Sequence, residues 1–204
     1  MTKSEVRQRI LDVRVVPVVR AATAELAISA ARAVYEGGIP IVEVTMTVPG
    51  AIDVISELVR SMGAQVLIGA GTVLDAATAQ KCLDAGAEFL VSPGFDADTV
   101  KLANRQGKLM MAGALTPTEV IAAWKAGSDF VKIFPCGNVG GPAYIKALKA
   151  ALPQIPMVPT GGVNLSNAAQ YLEAGASALG IGSELKTTEA ARKYVAIAGE
   201  SPRY

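Results

Sequence analysis

The segment from residue 108 to residue 135 reads KLMMAGALTPTEVIAAWKAGSDFVKIFP and contains one complete strand–helix–strand pattern. Its two ends, residues 108–113 and 129–134, are short apolar runs with the length of buried strands. The stretch between them is rich in alanine and in other good helix formers. Thr116 stands where a helix needs an N-cap oxygen, and Gly127 stands where a helix ends in the left-handed conformation. The segment therefore predicts a β–α–β unit of a parallel sheet.

The same alternation continues along the chain in both directions. Most of the apolar runs are nearly continuous, which is typical of parallel strands covered on both faces. The predicted strands are residues 13–20, 39–46, 65–70, 88–93, 108–113, 129–134, 157–161 and 178–183. Alternating with helices, they predict a single domain over residues 1–204, a (β/α)8 TIM barrel with an extra N-terminal helix at residues 3–12. An open, doubly wound sheet is the alternative.

Residue types at the helix ends support this pattern. Side chains that suit an N-cap are Thr23, Asp75, Asp96, Thr116 and Ser166. Prolines that can occupy the first turn of a helix, where a missing N–H has no cost, are Pro49, Pro117 and Pro142. Glycines expected to end helices are Gly37, Gly86, Gly127 and Gly175.

The composition excludes several classes of function. The 204 residues carry 19 basic and 18 acidic side chains, so the basic surface of a nucleic-acid-binding protein is not expected. No apolar run approaches the roughly 18 residues of a membrane-spanning helix, and the polar N-terminus is unlike a signal peptide. Two cysteines are too few for a disulfide scaffold and indicate a reducing cytoplasm. Because histidine is absent, a histidine base and histidine-ligated metals are excluded.

One lysine stands at the centre of a predicted strand. In Phe130-Val131-Lys132-Ile133-Phe134, side-chain alternation places Lys132 on the same face as both phenylalanines. If Val131 and Ile133 face the helices, Lys132 points into the barrel lumen, where loss of hydration lowers its pKa. A neutral amine among apolar walls can attack a ketone carbonyl. The alternatives are a lysine whose charged end reaches solvent and a lysine in a structural ion pair.

A glutamate occupies the middle of an earlier predicted strand. Alternation groups Glu43 with Ile41 and Thr45 on the face toward the same lumen. Its carboxylate could support the charge of Lys132 or act as a general acid and base, and the alternative is a buried Lys–Glu pair without chemistry. Arg20, at the end of the first strand, is a candidate clamp for an anion, with a surface arginine as the alternative.

Glycines follow the last two predicted strands. Residues 161–162 follow the seventh strand, and residues 180–183, Gly-Ile-Gly-Ser, end the eighth. The loops after these strands are the usual phosphate site of a TIM barrel, because backbone N–H groups there can donate hydrogen bonds to the phosphate oxygens. Glycine also relieves crowding at strand ends, which is the alternative interpretation. Thr72, at the end of a GAGT sequence after the third strand, adds a hydroxyl at the same rim.

Motifs distributed over nearly the whole chain resemble one family of enzymes. They are VEVTMTVP (42–49), IGAGTV (68–73), VSPG (91–94), GALTPTE (113–119), VKIFP (131–135), GPAYIKALK (141–149), VPTGGV (158–163) and GIGS (180–183). In this order they resemble the class I aldolases that act on 2-keto-3-deoxy-6-phosphogluconate (KDPG) and 4-hydroxy-2-oxoglutarate (KHG). The resemblance implies a homotrimer and a reaction that needs no metal and no cofactor.

The resemblance also implies roles for individual positions. Lys132 would form a Schiff base with the 2-keto group of the substrate, and Glu43 would move protons. Some members carry an arginine four residues after this glutamate, where this chain has Thr47. The implied substrate-binding residues are Arg20, Thr47, Thr72, Pro93, Phe134, Gly161, Gly162 and Ser183, of which the last three would hold the phosphate.

These observations predict a carbon–carbon lyase. It would cleave KDPG, or a related 2-keto-4-hydroxy acid, reversibly to pyruvate and an aldehyde such as glyceraldehyde 3-phosphate. Its expected partners are these small molecules and further copies of the chain, but neither nucleic acid nor a membrane. A phosphosugar isomerase or epimerase on the same barrel is one alternative, since it needs the late glycine loops but no lysine in the lumen. A non-catalytic subunit of a trimeric assembly is the other.

Overall fold

The computed structural model describes residues 1–202, in which eight strands alternate with helices. The strands are β1 (Val15–Val19), β2 (Ile41–Thr45), β3 (Leu67–Gly71), β4 (Phe89–Val91), β5 (Leu109–Ala114), β6 (Phe130–Ile133), β7 (Met157–Pro159) and β8 (Leu179–Ile181). The helices are α1 (Lys3–Val13), α2 (Ala24–Glu36), α3 (Ala51–Met62), α4 (Ala76–Asp84), α5 (Ala97–Arg105), α6 (Pro117–Lys125), α7 (Pro142–Ala151), α8 (Ala168–Glu173) and α9 (Thr188–Glu200). A short 3-10 helix, Cys136–Val139, follows β6 and was not predicted.

The sheet closes into a barrel. Its strand order is β7-β6-β5-β4-β3-β2-β1-β8, and every paired neighbour is parallel. A parallel bridge between Thr160 and Gly180 joins the two outer strands of that order. The prediction of a (β/α)8 barrel is therefore confirmed, and the open sheet is excluded, because consecutive strands are neighbours all the way round.

Helix α1 covers the N-terminal end of the barrel. The Lys3 ammonium lies 2.9 Å from the Asp129 carboxylate, and the Arg7 guanidinium lies 5.7 Å from the centroid of the Phe130 ring. Asp129 and Phe130 stand at the start of β6, so both contacts lie at the end of the barrel that is formed by the N-terminal ends of the strands. The extra N-terminal helix predicted at residues 3–12 is thus confirmed, and it continues to Val13.

Four of the five predicted N-caps are confirmed, because their side chains accept a hydrogen bond from the first turn: Thr23, Asp75, Asp96 and Thr116. Ser166 is wrong as an N-cap. Its hydroxyl and its backbone N–H both donate to the Asn164 side chain, at 2.6 Å and 3.0 Å, and α8 begins only after Asn167. The local turn around Asn164 therefore takes the groups that a cap would use.

Two further predictions at helix ends need correction. Pro117 and Pro142 open their helices as predicted, but Pro49 does not, because Gly50 in a left-handed conformation (φ 66°) separates it from α3. Gly37 ends α2 with right-handed geometry (φ −79°), and the left-handed position is taken by Gly38 (φ 97°). Gly86, Gly127 and Gly175 have the expected positive φ.

Several strands are shorter at their C-terminal ends than predicted. The run at residues 88–93 forms a strand only over Phe89–Val91, since Pro93 has no N–H to give to a sheet ladder. β7 and β8 likewise contain three residues each. The remaining residues of these runs form loops at the C-terminal rim of the barrel, where the candidate residues lie. In the described part of the chain, no helix is long and apolar enough to cross a membrane.

Candidate active site

Lys132 lies inside the barrel, in the middle of β6. It is in register with Gly113 of β5 on one side and Val158 of β7 on the other. Only 2% of its surface is exposed, and its Nζ atom lies 5.1 Å from the centroid of the Phe134 ring. The predicted grouping of Lys132 with Phe134 on one face is therefore confirmed. Burial lowers the pKa of Lys132 below the ordinary lysine value, the nearby charge of Glu43 opposes this shift, and Arg20 adds to it.

Glu43 is buried in β2 and is 2% exposed. Its carboxyl group lies directly over Gly71 at the end of β3, and a Cβ atom at that position would overlap it. The Oε1 atom is fully buried and has no hydrogen-bond partner among the described residues. Burial raises the pKa of Glu43 above the ordinary glutamate value, and the charges of Lys132 and Arg20 oppose this shift. A carboxyl group with a raised pKa holds its proton more readily than an ordinary glutamate, which suits a group that exchanges protons with a substrate.

The two buried groups influence each other across the lumen. β2 and β6 are not neighbours in the sheet, and yet the pKa of each group responds to the charge of the other. Within residues 1–202, neither side chain has an ion-pair partner within 4.0 Å. They face each other without direct contact, so the arrangement is not a closed structural salt bridge. Perturbed, desolvated groups of this kind are typical of functional sites.

Arg20 is exposed and follows β1 directly. Its charge affects both Glu43 and Lys132, so it lies near the same opening of the barrel. The end of β1 is attached to β2 through Thr45, whose hydroxyl donates to the Val19 carbonyl at 3.1 Å. The Thr45 hydroxyl also lies 2.7 Å from that of the exposed Thr47. Since the only hydroxyl proton of Thr45 goes to Val19, Thr47 donates to Thr45.

Thr72 adopts an unusual backbone conformation at the end of β3. Its φ is 57°, in the left-handed region that a residue with a branched Cβ rarely enters. The neighbouring segments are fixed, because Met46 donates its N–H to the Gly71 carbonyl at 2.8 Å and Val73 donates to Val91 at 3.1 Å. Conformations of this kind cost about 1–3 kcal/mol and cluster at functional sites. The half-buried Thr72 therefore lies beside Glu43 in a conformation that its neighbours enforce.

Pro93 packs against Gly113, the register partner of Lys132, through a backbone contact that the sequence did not reveal. A Cβ atom on Gly113, the register partner of Lys132, would overlap the Pro93 carbonyl. Ser92 fixes this loop, since its hydroxyl donates to the Gly94 carbonyl at 2.6 Å and accepts from the Gly113 N–H at 3.3 Å. Ser92 is buried and was not among the predicted residues, although it stands inside the VSPG motif.

The glycine loop after β7 packs against the loop after β6. Gly161 and Gly162 both have positive φ, at 82° and 83°. The N–H of Gly137 donates to the Gly161 carbonyl at 2.8 Å, and a Cβ atom on Gly137 would come within 2.9 Å of the Gly162 Cα. A Cβ on Gly161 would lie 3.3 Å from the Phe134 ring. The loop therefore borders the same opening as Lys132.

Ser183 is exposed, just beyond the end of β8. The Thr160–Gly180 bridge brings β7 and β8 together, so their two loops leave the barrel side by side. The structure thus gathers all the predicted residues at the C-terminal rim or inside the lumen below it. Cys136, next to this rim, is fully buried, and burial raises the pKa of its thiol to about 11, so its side chain packs in the core rather than acting as a thiolate.

A large cavity lies away from these residues. It has a volume of about 690 Å³ and is formed at the N-terminal end of the barrel by α1 and by the ends of α7 and α8. None of the predicted site residues lines it. A second cavity of about 540 Å³ adjoins the glycine loop and includes Gly137, Gly162 and Asn167 in its lining. The predicted site residues therefore lie in the lumen and at the rim, away from the larger cavity.

Comparison with known proteins agrees with this geometry. Residues 6–197 match the model of the aldolase family described as KDPG and KHG aldolase. The chain is 41% identical over 160 residues to the 2-dehydro-3-deoxy-phosphogluconate aldolase of Treponema pallidum, which covers 78% of this chain and 76% of that protein. It is 35% identical over 171 residues to the 2-dehydro-3-deoxy-6-phosphogalactonate aldolase of Escherichia coli, with 83% of each chain covered.

A solved structure adds chemical information about a relative. The KDPG aldolase of Legionella pneumophila was crystallised with pyruvate captured at low pH as a covalent carbinolamine intermediate. It is 27% identical and superposes with a TM-score of 0.81, which covers 95% of this chain and 96% of that chain. With a family match over nearly the whole barrel and a buried lysine–glutamate pair at its centre, this chain belongs to the KDPG and KHG aldolase family.

Proposed function

We propose that this class I aldolase cleaves KDPG, or a related 2-keto-4-hydroxy acid, reversibly to pyruvate and an aldehyde such as glyceraldehyde 3-phosphate. The observation that carries the proposal is the buried amine of Lys132, whose lowered pKa makes the neutral form accessible, facing the Glu43 carboxyl group across the lumen. The names of the relatives in Treponema pallidum and Escherichia coli support a phosphorylated 2-keto-3-deoxy sugar acid as the substrate class.

The reaction begins with the lone pair of the Lys132 Nζ atom. It forms a bond to the C2 carbonyl carbon of the substrate and gives a carbinolamine. The protonated Glu43 carboxyl group gives its proton to the hydroxyl group of this adduct, and water leaves. The product is a protonated imine, whose positive nitrogen can accept an electron pair, and Glu43 is now a carboxylate. A lysine kept protonated in water would be a poor nucleophile, so the burial of Lys132 serves this step.

Cleavage of the carbon chain then requires a base. The Glu43 carboxylate takes the proton of the C4 hydroxyl group, and the C3–C4 bond breaks. Its electron pair forms the C2–C3 double bond of an enamine, and the C=N π pair moves to the imine nitrogen. The aldehyde leaves. Glu43 returns the proton to C3, and hydrolysis of the new imine releases pyruvate and the free amine of Lys132. The raised pKa of Glu43 suits a group that must both accept and give up a proton.

The rim residues hold the two ends of the substrate in this proposal. Thr72 contacts the pyruvyl part, and the other residues that bind the substrate near Lys132 are Arg20, Thr47, Pro93 and Phe134. Gly161, Gly162 and Ser183 hold the phosphate, in the loops where TIM barrels usually bind it. The reaction needs no metal or cofactor, because the protonated imine supplies the electron sink.

A phosphosugar isomerase or epimerase is the alternative that shares these phosphate loops. Such an enzyme forms no imine, so the decisive experiment is reduction of the protein with borohydride in the presence of pyruvate. The aldolase proposal expects a stable pyruvate-derived mass increase on the peptide that contains Lys132. A label on Lys146 or Lys149 instead, or an active enzyme that cannot be labelled, contradicts the assignment of Lys132.

We also propose that one barrel over residues 1–204 acts as a homotrimer in the cytoplasm. Support for assembly comes from two exposed apolar side chains in adjacent loops, Leu74 (64% exposed) after β3 and Phe95 (37% exposed) after β4. The free thiols of Cys82 and Cys136 support a reducing compartment. Light scattering should give three times the chain mass. A monomer with full activity contradicts the trimer, and an inactive trimer supports the alternative of a non-catalytic assembly subunit.

A further inference from the structure

The glycine loop after β7 is held by the side chain of Asn167. Its Nδ2 atom donates to the Gly162 carbonyl at 2.9 Å, and its Oδ1 atom accepts from the Asn164 N–H at 2.8 Å. One amide group therefore binds the backbone on both sides of Val163. Asn167 was not among the residues predicted from the sequence.

The two hydrogen bonds of Asn167 do different things. By accepting from the Asn164 N–H, its Oδ1 atom stabilises the turn that leads into α8, as the third residue of a capping box does. The bond from its Nδ2 atom to the Gly162 carbonyl has no part in that turn and reaches back to the glycine loop. Asn167 therefore connects the glycine loop to the start of α8.

The opposite side of the loop is held by different contacts. Gly137 donates its N–H to the Gly161 carbonyl at 2.8 Å, and Cys136 donates to the Thr160 carbonyl at 2.9 Å. Two successive glycines have many accessible backbone conformations, and ordering them costs free energy. With the carbonyl of Gly161 fixed from one side and that of Gly162 from the other, the orientation of the peptide groups between them is set before any ligand binds.

We infer that Asn167 is a positioning residue for the phosphate group of the substrate. By fixing the Gly162 carbonyl, it directs the amides of the loop toward an oxyanion at the rim. The inference rests on the proposed function, in which residues 161–162 hold the phosphate. Asn167 itself contacts neither the keto group nor Lys132, so its effect is confined to substrate binding at the phosphate end.

The test compares Asn167→Ala and Asn167→Ser with Ser166→Ala. Serine keeps an oxygen that can accept a hydrogen bond at the start of α8, but it is too short to bind Gly162 and Asn164 together. Ser166→Ala is the matched control, because it removes a hydrogen bond to Asn164 in the same turn without affecting Gly162. Each variant is assayed with KDPG and with the same keto acid lacking its phosphate.

We expect both Asn167 variants to raise KM for KDPG by about tenfold, because the loop loses the hydrogen bond that fixes Gly162 and a factor of ten is about what one hydrogen bond contributes. The value of kcat should change less than about twofold. KM for the unphosphorylated keto acid and the rate of pyruvate imine formation should match those of Ser166→Ala. Inorganic phosphate, which should raise the Tm of the wild type, should raise that of the Asn167 variants less.

Other outcomes overturn the inference in distinguishable ways. If KM rises equally for both substrates, or if the Asn167 variants behave like Ser166→Ala, Asn167 has no special role at the phosphate end. If the wild type itself does not prefer the phosphorylated substrate while still forming the imine, the proposed phosphate site is wrong, and the role of Asn167 falls with it. Failure of the wild type to form the imine contradicts the proposed function itself.

Discussion

Lys132 and Glu43 face each other across the barrel lumen from strands that are not neighbours in the sheet. Each is 2% exposed, and each has a pKa displaced toward neutrality mainly by burial. Two opposite charges placed this way without direct contact leave both groups available for chemistry, whereas a closed ion pair would hold the amine protonated. The relationship leads to predictions that separate the roles of the two residues.

Replacing Lys132 tests the nucleophile. Lys132→Arg keeps the positive charge but supplies no neutral amine, and Lys132→Met keeps much of the volume without the charge. Both variants should lose cleavage by on the order of 10⁴-fold or more, as expected for loss of a covalent nucleophile. Neither should gain the pyruvate-derived mass after borohydride reduction. Substantial activity in either variant contradicts the assignment.

Glu43→Gln tests the proton carrier. The change preserves size and removes acid–base capacity, so kcat for cleavage should fall by about 10²–10⁴-fold. The imine with pyruvate should still form, at a reduced rate, and mass spectrometry after reduction should detect it. The exposed residue Glu36 provides a matched control, Glu36→Gln, with unchanged turnover. Near-normal turnover of Glu43→Gln would remove the role proposed for this residue.

The barrel and the inward direction of both residues could be predicted because they depend on local patterns. Strand–helix alternation and glycine helix ends recur along the chain, and a period of two assigns the faces of a strand. Lys132 and Glu43 stand in the middle of their strands, so small errors at strand ends did not change the result.

What could not be predicted depends on contacts between segments that are distant in sequence. The space that Glu43 occupies exists because Gly71 on the next strand lacks a side chain. Ser92 connects Gly113 to the loop after β4, and Asn167 connects the glycine loop to the turn that starts α8. Ser166, by contrast, has the residue type of an N-cap, and only the turn made by Asn164 shows why it is not one.

Gly71→Ala tests the space beneath the Glu43 carboxyl group. An added Cβ atom would overlap this group, so Glu43 must move. We expect a loss of about 1–3 kcal/mol in unfolding free energy from overpacking, and a fall of about 10²-fold in kcat from the displaced carboxylate. Gly94→Ala at the same rim is the control, since a Cβ atom there meets nothing within 4 Å. Equal activity of the two variants contradicts the proposed dependence of Glu43 on Gly71.

The buried lysine should leave a signature in the pH dependence of stability. The pKa of Lys132 is lowered in the folded state, so between this pKa and the ordinary lysine value the unfolded chain binds more protons than the folded chain. The free energy of unfolding contributed by this residue therefore rises with pH through that window and is lowest below it. Glu43 acts in the opposite direction, because its raised pKa makes its contribution fall as pH rises from the ordinary glutamate value through the folded one.

Lys132→Met removes the lysine part of this effect, and in the alkaline range, far above the ordinary glutamate value, the lysine part dominates the comparison. At neutral pH the variant should be at least as stable as the wild type, since an apolar side chain replaces a buried amine. As the pH rises toward the ordinary lysine value, the wild type should gain stability relative to the variant, which urea unfolding at successive pH values measures. Lys101→Met, at an exposed position on α5, is the control and should show no such convergence. A stability difference between wild type and Lys132→Met that stays constant with pH would mean that the Lys132 amine keeps its ordinary pKa in the lumen, and the neutral nucleophile required for imine formation would then lose its physical basis.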